Sequence, residues 1–422
     1  MGKRHGKRET AALALGALLA WSATAATAAP AAPPVPRPMP EDDARFYDFL
    51  RHFRVEAIGK GIKAKTYDRA IAGIALNARV KELNETQPEF VKPVWEYLEG
   101  AVSPWRIDTG REALAANAAL FARIEKTYGV PKEIVAAIWG LESAYGRNTG
   151  SFKLFEALAT LGYAGPRTSY GREQIPAALK LAERENIDPA EMTGSWAGAF
   201  GHTQFVATTF LSHAVDGDGD GKSDVWRSVP DALSSTAGYL KDMGWRTGES
   251  WGEEVRLPDD FPYGDADPDA KKPVREWTAL GVRTATGAKL ERRDDEAAIF
   301  LPAGHRGPAF LLRPNFYVIL KYNFASSYAL AIGHLSDRLR GGAEILGAWP
   351  KDERPLVIDE RKALQDALTA LGYDTGGVDG ILGRKTRAAL RDWQRARGLP
   401  PDGFATTGGL QRIAAERARR DR

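Results

Sequence analysis

Val130-Pro-Lys-Glu-Ile-Val-Ala-Ala-Ile-Trp-Gly-Leu-Glu142-Ser-Ala-Tyr-Gly146 is the stretch on which the reading of this chain turns. Pro131 suits the first position of a helix, where a missing N–H costs nothing, and Gly146 suits the residue just past one. Ile134, Ile138, Leu141 and Tyr145 recur at spacings of 4, 3 and 4, so the stretch predicts a helix with one apolar face. Glu142 stands four residues beyond Ile138 and falls on or beside that face. In the last turn its carboxyl meets the negative end of the helix dipole. Partial burial acts in the same direction, because both disfavour the charged form. A carboxylic acid that keeps its proton near neutral pH suits donation to a glycosidic oxygen. Position alone carries little weight, since a glutamate near a helix end is more often a surface or capping residue than a catalyst.

Working outward, helical periodicity starts near Asp42 and recurs up to about residue 250, broken by Gly and Pro. From about 253 to 313 the texture changes. Glu254-Val-Arg-Leu-Pro258, Trp277-Thr-Ala-Leu280 and Ala297-Ala-Ile-Phe-Leu301 are short β-like runs between Pro, Gly and Asp clusters, which predicts a small sheet inserted into a helical protein. A long helical pattern resumes from Asn315 to about Leu339. Residues 343–358 form a second linker, and 359–416 a compact closing module. In that module Leu364, Leu368 and Leu371 share one helix face, and a later helix buries Leu390 and Trp393. The main part is therefore residues 42–342, and the expected fold is mainly α with a small inserted β-sheet.

The N-terminal end is read as processing signal and spacer. Lys3, Arg4, Lys7 and Arg8 precede the apolar run Ala11 to Trp21, and small residues follow through Ala28. This is the order of a secretory signal peptide, residues 1–29; the run is about half the length of a spanning helix, and an uncleaved anchor is the plain alternative. Residues 30–41 hold six prolines and form a stiff linker. Removing 1–29 takes away four basic groups and one acid, which leaves 54 of each sign from 58 and 55. That balance offers no footprint for nucleic acid or for an anionic membrane. The chain of 422 residues has no cysteine, which excludes disulfides, thiolate chemistry and lipidation on Cys. The expectation is a periplasmic protein without stable membrane insertion; the sequence names no protein partner.

Five motifs in order give the stretch around Glu142 a family. They are Ala137-Ile-Trp-Gly-Leu-Glu-Ser-Ala-Tyr-Gly146, Arg167-Thr-Ser-Tyr170, Ser195-Trp-Ala-Gly-Ala-Phe-Gly-His-Thr-Gln-Phe205, the Asp-rich loop from Asp216, and Lys321-Tyr-Asn-Phe-Ala-Ser-Ser-Tyr328. Together they resemble the B-type lytic murein transglycosylases over about residues 42–340. The resemblance implies a lysozyme-like catalytic core and makes Glu142 the single catalytic acid and base. It further implies cleavage of the β-1,4 bond between N-acetylmuramic acid and N-acetylglucosamine, with closure of a 1,6-anhydro ring. The nucleophile is then the substrate's own C6 hydroxyl, so no second carboxylate is needed.

The same resemblance assigns Ser195 to hydrogen-bond the catalytic carboxyl, and Gln204, Arg167, Tyr170, Tyr239, Tyr322, Asn323 and Tyr328 to line the glycan cleft. Aromatic faces suit the C–H surfaces of sugar rings; each tyrosine could equally be a core residue on spacing alone. His202 and Thr203 depart from the family's usual residues, as does Pro166, where an arginine is common. His202 reads as a polar wall residue.

Asp216-Gly-Asp218-Gly-Asp220-Gly221-Lys222 has the 1, 3, 5 oxygen spacing and the position-6 glycine of a calcium loop, with Lys222 offering its backbone carbonyl. Arg227 stands where the bidentate Glu belongs, and the resemblance makes Asp231 the closing ligand. An acidic surface turn is the plain alternative. A calcium ion held there would be structural, and the chemistry requires no cofactor. The closing module resembles the three-helix peptidoglycan-binding domain, which makes glycan strands of the wall the expected partner. A hydrolytic muramidase and a non-catalytic wall-binding scaffold remain as alternatives.

Overall fold

The computed structural model describes residues 41–86, 92–291 and 294–422. The expected signal peptide and the prolines before Glu41 lie outside the described residues. The chain divides into two compact units. One comprises described residues 41–86 with Thr109–Asp242 and Lys321–Asn323; the other comprises 92–108, Met243–Leu320 and Phe324–Arg422.

In the first unit helices Leu154–Tyr163 and Thr168–Glu185 form the central pair. Leu154, Leu158, Leu161, Leu179 and Leu181 are fully buried within it. Gly171 permits their close approach, since a Cβ there would lie 2.3 Å from the Gly162 nitrogen. A two-stranded antiparallel ribbon, β1 (Phe152–Lys153) with β2 (Thr193–Gly194), ties the start of that pair to the glycine-rich segment.

The second unit carries an antiparallel sheet of β3 (Gly252–Arg256), β4 (Lys272–Pro273), β5 (Arg283–Thr284), β6 (Glu296–Phe300) and β7 (Ala309–Leu312), in the order β4-β6-β7-β3-β5. The insert is therefore real, with one change. Trp277-Thr-Ala-Leu280 is not a strand: Val274–Ala279 is a short helix after Pro273. Its Trp277 is wholly buried against Val255, Ile299 and Leu311 and donates its indole N–H to Ala297 O at 2.9 Å. The helix covers one face of the sheet, so its apolar residues answer to packing and not to strand alternation.

The helical pattern from Asn315 to Leu339 is two helices, Pro314–Tyr322 and Ser326–Leu339, parted at Asn323. Pro314–Leu320 and Ser326–Leu339 both belong to the second unit, and only Lys321–Asn323 between them to the first.

The closing module is three helices, Ile358–Ala370, Arg384–Arg395 and Thr407–Arg420, around Leu364, Leu368, Leu390, Trp393 and Ile413. It sits on the sheet region of its own unit. Arg391 pairs with Asp267 at 2.6 Å, with side chains only 9% and 14% exposed, and also reaches Ala266 O at 3.0 Å. Asp402 accepts from the His305 N–H at 2.9 Å and lies 2.6 Å from its ring. The preceding segment is pinned as well, with the amides of Leu346 and Gly347 donating to Glu254 at 2.8 and 2.7 Å.

Candidate active site

Helix Lys132–Ser143 begins after Pro131 and is buried almost throughout. Its end differs from the expected glycine stop. Ala144 and Tyr145 both take the left-handed conformation, at φ 52° and 59°, before Gly146 at 84°. The Tyr145 ring turns back over Gly140, where a Cβ would fall 2.5 Å from its Cζ, and meets Trp139 edge-on at 5.7 Å. Glu142 is thereby held in the last turn with only 5% of its surface exposed. A carboxyl so placed has little water and faces the negative helix end, and both favour the protonated form.

The glycine-rich turn lies beside the helix end. Ser195 N–H donates to Ala199 O at 2.6 Å, and Ser195 Oγ accepts the Ala199 N–H at 3.1 Å. Gln204 sits at φ 51° and uses its side-chain NH2 to brace the turn, donating to Thr149 O at 3.1 Å and Gly201 O at 3.0 Å. Both residues are buried. Gly150 makes the approach possible: a Cβ there would lie 2.1 Å from the Gly194 carbonyl carbon. Tyr170 donates its hydroxyl to Ala197 O at 3.0 Å, and the Arg167 guanidinium lies over the Trp196 ring at 4.8 Å. These two therefore brace the outside of the same turn.

An aromatic cluster closes the other side. Tyr322 is buried and donates to Thr203 O at 2.5 Å. Burial, and after it the charge of Glu142 when ionised, holds its hydroxyl well above the ordinary tyrosine range. Tyr322 and the end of the Glu142 helix bond to neighbouring residues of one turn, Tyr322 to Thr203 O and Ser143 to His202 O. Tyr239 meets Tyr322 edge-on at 5.4 Å, and Phe205 lies 6.1 Å from Tyr322. Tyr239 donates to Lys321 O at 2.5 Å, and burial pushes its hydroxyl up to about 12. Asn323 is 7% exposed at the helix break. Tyr328 lies in the second unit and is buried at 2%.

The structure thus gathers Glu142, Tyr322 and Tyr239 into one neighbourhood, with Ser195 and Gln204 in the adjoining turn. Sequence reasoning passed over Trp139, whose indole N–H donates to His202 Nδ1 at 3.1 Å. Its position three residues before Glu142 was the available signal.

In the acidic loop, carboxylate oxygens of Asp216, Asp218 and Asp231 lie within 4.8 Å of one another. That is about twice a calcium–oxygen bond, so all three could contact one ion. Asp216 accepts from the amides of Gly219, Asp220 and Gly221, and Asp231 from those of Gly217, Asp218 and Asp224. Asp220 is engaged by the Lys222 amide at 2.8 Å and is not in the cluster. Burial, with the Asp218 charge among the lesser causes, pushes the Asp231 carboxyl up. The donors are hard oxygens from a loop and from helix Val229–Asp242, and they fit a calcium ion.

The sequence profile of the Transglycosylase SLT domain family matches residues 45–337. The chain belongs to that family. A peptidoglycan binding domain profile matches 358–413 of the same transglycosylase-domain protein. It is 46% identical to SltB3 of Pseudomonas aeruginosa, solved in complex with NAG-anhNAM-pentapeptide, with a TM-score of 0.85 over 87% of this chain and 99% of that one. Escherichia coli Slt35, solved in complex with calcium, is 27% identical with a TM-score of 0.59 over 69% of this chain and 92% of that one. The membrane-bound lytic murein transglycosylase B of Escherichia coli is 33% identical over 219 residues, half of this chain and 58% of that relative.

Proposed function

We propose that this protein is an exported lytic transglycosylase that cuts peptidoglycan between N-acetylmuramic acid and N-acetylglucosamine and leaves a 1,6-anhydromuramic end. The observation that carries this reading is Glu142, buried in the final turn of its helix against the turn at His202 and Thr203 to which Tyr322 is also bonded. Glu142 gives its proton to the glycosidic oxygen as the C1–O bond breaks, and the N-acetylglucosamine-side fragment leaves as an alcohol. The carboxylate so formed then takes the proton of the muramyl C6 hydroxyl as that oxygen bonds to C1, which restores the acid. No water enters the balance, and the attacking group is already held on the substrate. Ser195 uses its hydroxyl proton to orient the carboxyl, and Arg167, Tyr170, Gln204, Tyr239, Tyr322 and Asn323 hold the glycan. Calcium at Asp216, Asp218 and Asp231 supplies a structural cross-link, and Asp220 and the Lys222 carbonyl join its shell once Asp220 turns from the Lys222 amide toward the ion.

Export through residues 1–29 to the periplasm and glycan binding by the closing module complete the reading. It is supported by the family membership, by the ligand named for SltB3 and, for calcium, by the ion named for Slt35. Among the described residues no helix is long and apolar enough to cross a membrane.

Mass spectrometry of the products from purified peptidoglycan is the test. Anhydro ends support the reading; reducing ends make the protein a muramidase, and no cleavage makes it a scaffold. Glu142→Gln is expected to fold normally and to lose turnover by about 10²- to 10⁴-fold.

A further inference from the structure

His202 holds the catalytic helix on both sides of Glu142. Its carbonyl accepts the hydroxyl of Ser143, the residue after Glu142, at 2.5 Å. Its ring Nδ1 receives the indole N–H of Trp139, three residues before Glu142, at 3.1 Å. Ser143 Oγ in turn accepts the Gly146 N–H at 2.9 Å. The imidazole also fills the space beside Gly146, where a Cβ would fall 2.4 Å from its Cε1 and Nδ1. On its far side the His202 N–H donates to Val225 O at 3.0 Å.

The chemistry of these partners fixes the state of the ring. An indole N–H only donates, so Nδ1 must present its lone pair and the single ring proton must sit on Nε2. An imidazolium would set two N–H groups against each other. Burial lowers the pKa of the ring, opposed by the smaller effect of the Asp224 carboxylate. From the catalytic helix the uncharged Trp139 and Ser143 face His202, and Glu142 is the acid of that turn. The turn also needs holding: Ala144 and Tyr145 in succession take the left-handed conformation, which crowds Cβ against the following carbonyl.

We propose that His202 is a positioning residue: its neutral Nε2–H tautomer clamps the turn that carries Glu142, and protonation of the ring releases the clamp. The proposal rests on the reading of Glu142 as acid and base. Its sign in pH follows directly. A lowered pKa keeps the ring neutral at pH 7, and the proton is taken only as the pH falls below the usual histidine value of about 6.5. Turnover is then lost on the acid side through His202. Ionisation of Glu142 removes the proton donor on the alkaline side, so the two limbs are separable.

The test uses the full-length protein, with kcat and KM measured on purified peptidoglycan across pH and ¹⁵N NMR of the His202 ring. His202→Gln keeps an oxygen for the Trp139 N–H and cannot titrate; its kcat should stay above that of His202→Phe and its profile should lose the acid limb. Trp139→Phe removes the clamp at every pH and should raise the titration midpoint of the ring itself, read by ¹⁵N NMR, toward the usual histidine value. His202→Phe should cut kcat about 10- to 100-fold with KM little changed. The spectrum should show Nδ1 unprotonated at neutral pH. A protonated Nδ1, or an acid limb unchanged in His202→Gln, overturns the proposal. The same spectrum recorded on Glu142→Gln separates the two readings. If that variant still turns over, the role of Glu142 fails while the tautomer continues to judge His202.

Discussion

Gly150 shows how little room the turn beside Glu142 leaves. It sits at φ +99°, and a Cβ would meet the Gly194 carbonyl carbon at 2.1 Å, a backbone atom that cannot rotate away. Gly150→Ala is expected to cost about 2–4 kcal/mol, seen as a lowered Tm in thermal denaturation, and to reduce turnover with it. At this scale Glu142 was legible because its signal is local: a helical period, a burial face and a helix end within seventeen residues. The groups against it were less so. Tyr322 reaches Thr203 across 119 residues and Trp139 reaches His202 across 63, and no periodicity within one segment encodes such a pairing. Only the family resemblance pointed to Tyr322, and nothing pointed to the Trp139 bond. The left-handed Ala144 and Tyr145 were invisible for a different reason. Neither residue type favours that conformation, which is imposed by the bonds around Ser143 and by the Tyr145 ring over Gly140.

At the scale of elements, the acidic loop ties residues 216–224 to helix Val229–Asp242 through Asp231. If calcium completes that tie, stripping the protein with a chelator should lower Tm. Restoring calcium to about 100 times its Kd should return about 3 kcal/mol. Asp231→Asn should abolish the calcium-dependent part of the shift, as measured by thermal melts with and without the ion. The 1, 3, 5 spacing of the acids is readable from sequence, whereas the gathering of Asp216 and Asp218 with Asp231, and not with Asp220, is a matter of how the loop folds onto its helix. The helix Val274–Ala279 was misread as a strand, since a short apolar run has too few residues to reveal its period. The break at Asn323 was missed because Lys321 to Tyr328 contains neither Gly nor Pro. The two helices are parted over Asn323 to Ala325, with no residue there of the kind that announces a break.

For the whole molecule, the closing module was recognisable as three helices, while its seat on the sheet region was not. Arg391 and Asp267 lie 124 residues apart, and each looks like an ordinary surface charge in its own segment. Their burial makes the pair sensitive to half-removal. Arg391→Ala should destabilise by about 3–5 kcal/mol because it strands the Asp267 carboxylate, and Arg391→Ala with Asp267→Ala together should recover part of that loss. Chemical denaturation of the four members of the cycle measures it.

The seat of the module also bears on how such a chain could be shuffled by recombination. A module on a loose string can be exchanged between genes without regard to its neighbours. Here Asp402 and Arg391 are keyed to His305 and Asp267, so a transplanted module must find both keys in its new host. The heritable unit is the module together with the sheet beneath it.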